Sequence, residues 1–309
     1  MMACVVIGVA LSAQQRPLTP LPTGGLRVAP FFDGWYANPD GTMTFSFGYS
    51  NLNRDDTVEI PIGSDNFIEP KEYDGRQPTS FVPAVNNSGD DAGAAAGAGA
   101  GTGTGAGAVA AGGANRPDRR DRERGVFGVT VPVGFKGDVV WTLRVQGQTY
   151  RVPARSKTGA YQLRWPMAMG SMPPLLRFTS DGPAGRGPAG IVGGSMQTSV
   201  GTPLKLTVFL HDDSVREPEP IQVKERAPGP KGVLNVTWYK HAGPPGRVTF
   251  SPAKEALAEL KGTATTTVTF AQAGEYRIRV KADNFGRVDS SAGNQCCWTN
   301  GYVPVTVTP

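Results

Sequence analysis

The fold class is clearest in one stretch of the sequence, Phe270-Ala-Gln-Ala-Gly-Glu-Tyr-Arg-Ile-Arg-Val-Lys-Ala-Asp-Asn284. From Tyr276 to Asp283 apolar and charged side chains alternate, which is the period of two expected of a half-buried strand. A β-branched run precedes the stretch at 265–270, and alternating valines follow it at 303–307. Three strands of this kind predict a sheet that needs a second sheet to cover its apolar face.

The same alternation occurs earlier in the chain. Segments 31–36 and 43–50 flank the turn Asn38-Pro39-Asp40-Gly41 and predict a hairpin. Further short strands are predicted at 58–62, near 81–85, and at 126–131, 139–145, 149–152, 204–210, 234–238 and 248–250. A short helix is predicted at 253–261. The sequence therefore predicts an all-β protein of two β-sandwich domains, 26–156 and 175–309, joined by a linker at 157–174.

Composition agrees with many short strands and excludes other classes. Among 309 residues there are 41 Gly and 27 Pro, a turn-rich balance that disfavours long helices. The formal charge of +5, from 31 basic and 26 acidic residues, is too small to predict a nucleic-acid partner. No apolar run approaches the roughly 20 residues of a membrane span.

The first thirteen residues, 1–13, are apolar and end in Leu-Ser-Ala, as a secretory signal peptide does, although no Lys or Arg precedes the apolar run. An exported protein is therefore predicted, in the periplasm, at the cell surface or outside the cell. Cleavage would remove Cys4 and leave Cys296 and Cys297 as the remaining cysteines.

A low-complexity segment interrupts the first domain. Residues 92–114 consist of Ala, Gly, Thr and a single Val, which can bury almost no apolar surface. Arginines alternate with acidic residues in the segment 116–124 that follows. We predict a disordered Gly/Ala insertion at about 86–124, with 116–124 as a solvated tether.

The second domain resembles the immunoglobulin-like sandwiches of secreted proteins, in particular the polycystic-kidney-disease type. The resemblance rests on 204–210 as a B strand, on Trp238 in a C strand and on the corner at 270–284. It implies that Tyr276 is the corner tyrosine, whose hydroxyl bonds to backbone upstream. Such modules share no common activity. The first domain resembles only uncharacterised secreted bacterial proteins.

Motifs for catalysis are absent from the sequence. His211 and His241 are the two histidines, and neither has a second His or a Cys at metal-ligand spacing. The nucleophile-elbow, phosphate-loop and His-Glu-x-x-His motifs do not occur. Carboxylates that a glycosidase needs are available at Asp33, Asp40, Asp55 and Asp56. We nevertheless predict that the protein is not an enzyme.

Two surface features are predicted in the strands themselves. Trp35 and Tyr36 are adjacent on an extended segment, so one ring should leave the core, either to stack on a carbohydrate or to be covered by other parts of the chain. Arg277, Arg279 and Lys281 should form an outward basic stripe, which is either a solvated sheet face or a surface for an anionic polymer.

In an immunoglobulin-like order the B–C and F–G loops, here 211–233 and 284–301, leave the sandwich at the same end. Carboxylate and amide oxygens lie at that end and predict a candidate calcium site, or else they cap a solvated end: Asp212, Asp213, Asp283 and Asn284.

Cys296 and Cys297 are predicted to form a vicinal disulfide that stiffens the F–G loop and presents Trp298 to a partner. Free thiols or an intermolecular bridge remain alternatives.

The sequence thus favours a non-catalytic exported binding or structural module, with an unidentified protein or polysaccharide partner. An accessory carbohydrate-binding protein and an unrecognised carboxylate-dependent hydrolase are the alternatives. No cofactor other than calcium is predicted.

Overall fold

The computed structural model describes residues 25, 27–53, 55–83, 122–155, 159–163, 172–215, 234–284 and 298–309. In these ranges the chain is built from strands, together with two short 3-10 turns at Lys71–Tyr73 and Gly159–Tyr161. The predicted all-β class is confirmed. The predicted signal peptide and the Gly/Ala stretch 92–114 lie outside the described residues, and the boundaries predicted for the two domains stay predictions.

The first eight strands pair only with one another within the described residues. They are β1 (Val28–Ala37), β2 (Met43–Asn51), β3 (Val58–Glu59), β4 (Asn66–Glu69), β5 (Ser80–Phe81), β6 (Arg122–Val131), β7 (Val139–Val145) and β8 (Gln148–Ala154). Two three-stranded antiparallel sheets, β1-β2-β6 and β4-β7-β8, form the first sandwich, and β3 pairs with β5 beside them.

Aromatic rings join the two sheets of the first sandwich. Phe47 on β2 stacks on Phe127 of β6 at 5.1 Å, and Trp141 on β7 meets Phe127 edge-on at 5.1 Å. All three side chains are fully buried. The predicted alternation of β2 is therefore what places Phe45, Phe47 and Tyr49 in this core. Strand β4 was not predicted, because its four residues are too short to show a period.

The tether predicted up to residue 124 ends earlier in the structure. Arg122 already begins β6, and Glu123 is 8% exposed. The sequence pattern of alternating charges suggested solvent, but β2 provides the backbone partners that extend β6, with Tyr49 opposite Glu123.

The second sandwich is formed, over the described parts of 172–309, by ten further strands. They are β9 (Leu175–Arg177), β10 (Ile191–Val192), β11 (Met196–Ser199), β12 (Leu204–His211), β13 (Leu234–Ala242), β14 (Val248–Ser251), β15 (Lys254–Leu257), β16 (Lys261–Phe270), β17 (Gly274–Asp283) and β18 (Trp298–Thr308). One sheet has the order β14-β16-β12-β9, and the other has β10-β18-β17-β13-β15, with β11 also on β18.

This strand order is that of an immunoglobulin-like fold. Strands β9, β12, β16 and β14 take the A, B, E and D positions, and β13, β17 and β18 take C, F and G. β11 runs parallel to β18 along the open edge of that sheet. The immunoglobulin-like class of the second sandwich is confirmed by this topology.

One segment differs from its prediction. The short helix predicted at 253–261 is instead the edge strand β15 and the beginning of β16. β15 pairs with β13 in antiparallel register, from Leu234 opposite Leu257 to Thr237 opposite Lys254. Helix propensity is a weak local preference, and the ladder to β13 supplies hydrogen-bond partners that a single-turn helix lacks.

The predicted core positions of the second sandwich are buried. Trp238 on β13 is 3% exposed and packs with the apolar residues of both sheets. The hydroxyl of Tyr276 donates to the carbonyl of Gln272 at 2.9 Å, four residues upstream, which is the bond that the resemblance implies.

Candidate functional site

The loop end of the second sandwich brings together two of the predicted site residues. Asp212 follows β12 and Asn284 follows β17, and Ser214 lies between them. The Ser214 hydroxyl donates to Asp212 Oδ1 at 2.5 Å, and Asn284 Nδ2 lies 3.3 Å from the same hydroxyl. The bases of the B–C and F–G loops therefore touch, as the immunoglobulin-like order requires. The remaining loop segments, 216–233 and 285–297, lie outside the described residues.

A further segment closes this end of the sandwich. Asn284 Nδ2 donates to the Met172 carbonyl at 2.7 Å, and the Met172 amide donates to Ser214 Oγ at 2.9 Å. Thr299 Oγ1 donates to the Pro174 carbonyl at 2.5 Å. Residues 172–174, which sequence reasoning placed in a linker, thus form part of the ordered base from which both loops leave.

The other predicted calcium ligands have different surroundings. Asp213 accepts two hydrogen bonds from Arg186 Nη2, at 2.8 and 2.7 Å, and so forms an ion pair. Asp283 lies on β17 and is 6% exposed. Among the described residues there is no group of three or more His, Cys, Asp or Glu side chains that could hold a metal ion. Calcium binding stays a prediction, since most of both loops lies outside those residues.

Trp298 does not project from the F–G loop. It begins β18, is 1% exposed, and its indole nitrogen donates to the Gly125 carbonyl of the first sandwich at 3.2 Å. Lys281 Nζ lies 5.0 Å from the centre of the ring. The expectation of an exposed aromatic tip is therefore wrong, because the first sandwich covers this side chain. Cys296 and Cys297 lie outside the described residues, and their bonding stays a prediction.

The predicted outward basic stripe is also covered. Arg279 is 2% exposed, and its Nη2 lies 3.3 Å from Glu123 Oε1 on β6. Lys281 is 5% exposed and lies 4.0 Å from the same oxygen. Arg277 donates to the Gly75 carbonyl at 2.5 Å. The stripe does point away from its own core, as the alternation predicts, but it packs against the first sandwich instead of solvent.

Aromatic rings complete this charged contact. The Arg279 guanidinium lies 4.4 Å from the ring centre of Tyr239 on β13. Burial tends to lower the pKa of Arg279, but Glu123 raises it. The net shift is upward, so the guanidinium stays positively charged. Burial raises the pKa of Tyr302 to about 12, against the opposing effect of Arg279 and Arg277. The rings therefore stay neutral beside the cations.

The contact continues through neutral hydrogen bonds. Tyr302 donates its hydroxyl to the Val126 carbonyl at 2.9 Å, and Asn300 Nδ2 donates to the Gly125 carbonyl at 2.7 Å. His241 Nε2 donates to the Arg76 carbonyl at 2.9 Å. Burial, reinforced by the nearby arginines, lowers the pKa of His241 to about 3, so its imidazole is neutral at physiological pH.

A second ion pair crosses between the sandwiches. Lys240 Nζ lies 3.0 Å from Glu59 Oε1. The same ammonium donates to the carbonyls of Pro244 and Gly246, which belong to its own sandwich. Lys240 therefore has partners on both sides of the contact.

The Gly- and Pro-rich segment 182–190, predicted as irregular, fills the space between the sandwiches. The Pro188 carbonyl accepts from Asn300 Nδ2 at 2.9 Å and from Tyr302 at 3.2 Å. A Cβ on Gly190 would lie 1.8 Å from the Asn300 carbonyl oxygen, and one on Gly128 would lie 2.8 Å from Ala189. Small residues are required here because three backbones approach closely.

The residues of the two alternative functions are placed in the first sandwich. Tyr36 is 1% exposed, and Trp35 is half-buried against the core. Asp33 is buried and accepts from the Gly125 amide at 2.8 Å. Asp40 is exposed and holds the hairpin turn through Thr42. Tyr36 is thus covered and Trp35 partly covered, and Asp33 supports the backbone of β6.

No helix in the described part of the chain is long and apolar enough to cross a membrane.

Comparisons with known proteins give the following results. No family model matches the chain, and no curated protein matches it. Among solved structures, domains 4 and 5 of the S-layer protein SbsC match at 15% identity and a TM-score of 0.22, over 56% of this chain and 66% of that one, just under two thirds of its length. The D0-D1 domain of intimin matches at 10% identity and 0.23, over 90% and 97%. The PapD-like domain 7 of human CEP192 matches at 8% identity and 0.25, over 50% and 97%. At these TM-scores no conclusion about this chain rests on the similarities, and its fold rests on its own strand order.

Proposed function

We propose that the protein is a non-catalytic exported module, at the cell envelope or outside the cell, that binds a protein or polysaccharide partner through its B–C and F–G loops. The observation that carries the proposal is the chain of hydrogen bonds Asn284–Ser214–Asp212, which fixes the bases of both loops side by side. Long loops fixed on a rigid β framework are the usual place for recognition.

The contact between the sandwiches supports the same proposal. It uses the charged and aromatic face of β17 and β18, so the first sandwich braces the sheet from which the F–G loop leaves. The buried ionisable side chains Glu123, His241 and Asp33 bond to the backbone or to ion-pair partners of this framework. Their roles in the framework favour a structural scaffold over a catalytic one.

Within this proposal the second sandwich is a polycystic-kidney-disease type of immunoglobulin-like module. The Tyr276–Gln272 hydrogen bond and the strand order support that assignment.

The partner contact is tested by replacing residues 285–297 with a Gly-Ser segment of equal length. Immobilised protein should retain an envelope component from its source cells, and the replacement should abolish retention while the melting temperature stays unchanged. A Gly-Ser replacement of 92–114 is the matched control and should retain the component. Retention that survives the 285–297 replacement would contradict a role for the F–G loop.

Export is tested separately. A fusion of residues 1–30 to a phosphatase that is active only after export should give activity, and deletion of 1–13 should remove it. An inactive fusion would contradict the exported location.

Calcium at the loop end is tested by thermal denaturation after treatment with a chelator. Binding to the folded state should raise the melting temperature in calcium but not in magnesium. Asp213→Asn should reduce the shift, and an identical melting temperature with and without calcium would contradict the site.

A further inference from the structure

The contact between the two sandwiches places one carboxylate against two buried cations. Glu123 Oε1 lies 3.3 Å from Arg279 Nη2 and 4.0 Å from Lys281 Nζ. The side chains of the two cations are 2% and 5% exposed, and that of Glu123 is 10% exposed. All three therefore lie in a region where water contributes little screening.

Other charged and titratable groups surround this cluster on each packed strand. Tyr239 faces Arg279 from β13, and Tyr49 on β2 senses the charges of both Glu123 and Arg279. Arg277 and Asp283 lie on β17 itself, and Tyr302 and Trp298 on β18. Burial and the nearby Glu123 raise the pKa of Tyr239, so that ring gives no second negative charge.

The neutral hydrogen bonds between the two sandwiches do not by themselves determine whether the sandwiches stay associated. Each of the hydrogen bonds of Trp298, Asn300 and Tyr302 to the carbonyls of Gly125 and Val126 contributes only a modest net free energy, because opening exchanges it for bonds to water. A buried cation without its anion is different, because exposure to water restores its full hydration. The charge of Glu123 therefore controls whether burial of Arg279 and Lys281 is favourable.

Each sandwich also has a core of its own. The two sets of buried apolar residues share no member, although Tyr302 of β18 packs with the core of the first sandwich. Separation of the sandwiches would uncover Tyr302.

We propose that Glu123 is a latch: its carboxylate holds the first sandwich on the face of β17 and β18, and loss of its charge releases that face while both sandwiches stay folded. The released face carries Arg279, Lys281, Tyr302 and Trp298, which the closed molecule covers, beside the half-buried Tyr239. This inference does not depend on the proposed function.

The latch is tested by hydroxyl-radical footprinting of Glu123→Gln, read by mass spectrometry. In the wild type Trp298 and Tyr302, which are 1% and 6% exposed, should be protected, and in the variant their oxidation should rise severalfold. Trp141 and Trp238, at the centres of the two cores, serve as internal controls and should stay protected. Unchanged protection of Trp298 and Tyr302 in Glu123→Gln would overturn the proposal.

Glu59→Gln is the matched control variant. It removes the carboxylate of the other ion pair between the sandwiches, but Lys240 keeps the carbonyls of Pro244 and Gly246 as partners. Its footprint should equal that of the wild type. A rise in oxidation as large as that of Glu123→Gln would show that any loss of charge opens the contact, and would overturn the special role of Glu123.

Glu123→Asp separates charge from shape. It keeps the negative charge on a shorter side chain, so the face should stay mostly protected. Oxidation equal to that of Glu123→Gln would overturn the proposal. Oxidation of Trp141 and Trp238, together with loss of the far-ultraviolet circular dichroism of the fold in Glu123→Gln, would overturn it as well, since Glu123 would then be needed for folding itself.

Discussion

Among single residues, the first prediction concerns Tyr276, the corner tyrosine. The Tyr276 hydroxyl donates to the Gln272 carbonyl, and the residue is 4% exposed. Tyr276→Phe should lower the free energy of unfolding by about 1 kcal/mol, the usual contribution of one buried hydrogen bond. Denaturant unfolding measures it. Tyr161→Phe, at a residue that is 50% exposed, is the control and should have no effect. Equal stability of Tyr276→Phe and the wild type would contradict an energetic role for the corner.

The second prediction concerns His241 and the dependence of stability on pH. Burial lowers the pKa of His241 in the folded state to about 3, against 6.5 for a histidine in water, so between these values the unfolded chain binds a proton that the folded chain excludes. The resulting stability is complete above pH 6.5 and is lost as the pH falls toward 3. His241→Gln, which keeps a donor for the Arg76 carbonyl, should remove on the order of 1 to 3 kcal/mol of the destabilisation between pH 6.5 and 4.

Unfolding at a series of pH values measures this effect. His211→Gln is the control, since His211 is only half-buried and its ring keeps access to water. An acid dependence that is the same in His241→Gln and the wild type would show that other groups cause the acid destabilisation.

For the larger elements, the third prediction concerns the segment 182–190 and the effect of a side chain within it on stability. Gly190 has φ +60°, and a Cβ there would lie 1.8 Å from the Asn300 carbonyl oxygen. Gly190→Ala should destabilise the protein by roughly 1 to 3 kcal/mol, because both the backbone conformation and the close approach oppose a side chain. Gly194→Ala is the matched control, since a Cβ at Gly194 would meet nothing within 4 Å. Thermal denaturation that gives equal losses for the two variants would contradict the need for a glycine at this close approach.

At the scale of the whole molecule, the two sandwiches are expected to unfold together. Tyr302 of the second sandwich belongs to the core of the first, and both ion pairs and neutral hydrogen bonds cross the contact. Scanning calorimetry of the wild type should therefore show one transition, with equal calorimetric and van't Hoff enthalpies. Two separated transitions would contradict this coupling.

The longer strands, the all-β class and the immunoglobulin-like second sandwich could be predicted from the sequence, whereas the four-residue strands β4 and β15 could not. The alternation from Tyr276 to Asp283 indicates which side chains enter the local core, and the hairpin turns indicate where the strands reverse direction. The loop end was also predictable, since a known strand order brings Asp212 and Asn284 to the same edge.

What covers the other face of β17 and β18 depends on the packing of the two sandwiches. A period of two shows that Arg279 and Lys281 leave their own core, but it cannot show whether water or another sandwich receives them. The partner, Glu123, lies in a charged stretch on β6, more than 150 residues away, where the local pattern indicated a solvated tether. Trp298 was misplaced for the same reason: its position after a long loop suggested exposure, and its burial depends on the Gly125 carbonyl of a distant strand. Contacts between the two sandwiches carry no periodic signal along the chain, so the strands of each sandwich can be predicted from local sequence and the association of the sandwiches cannot.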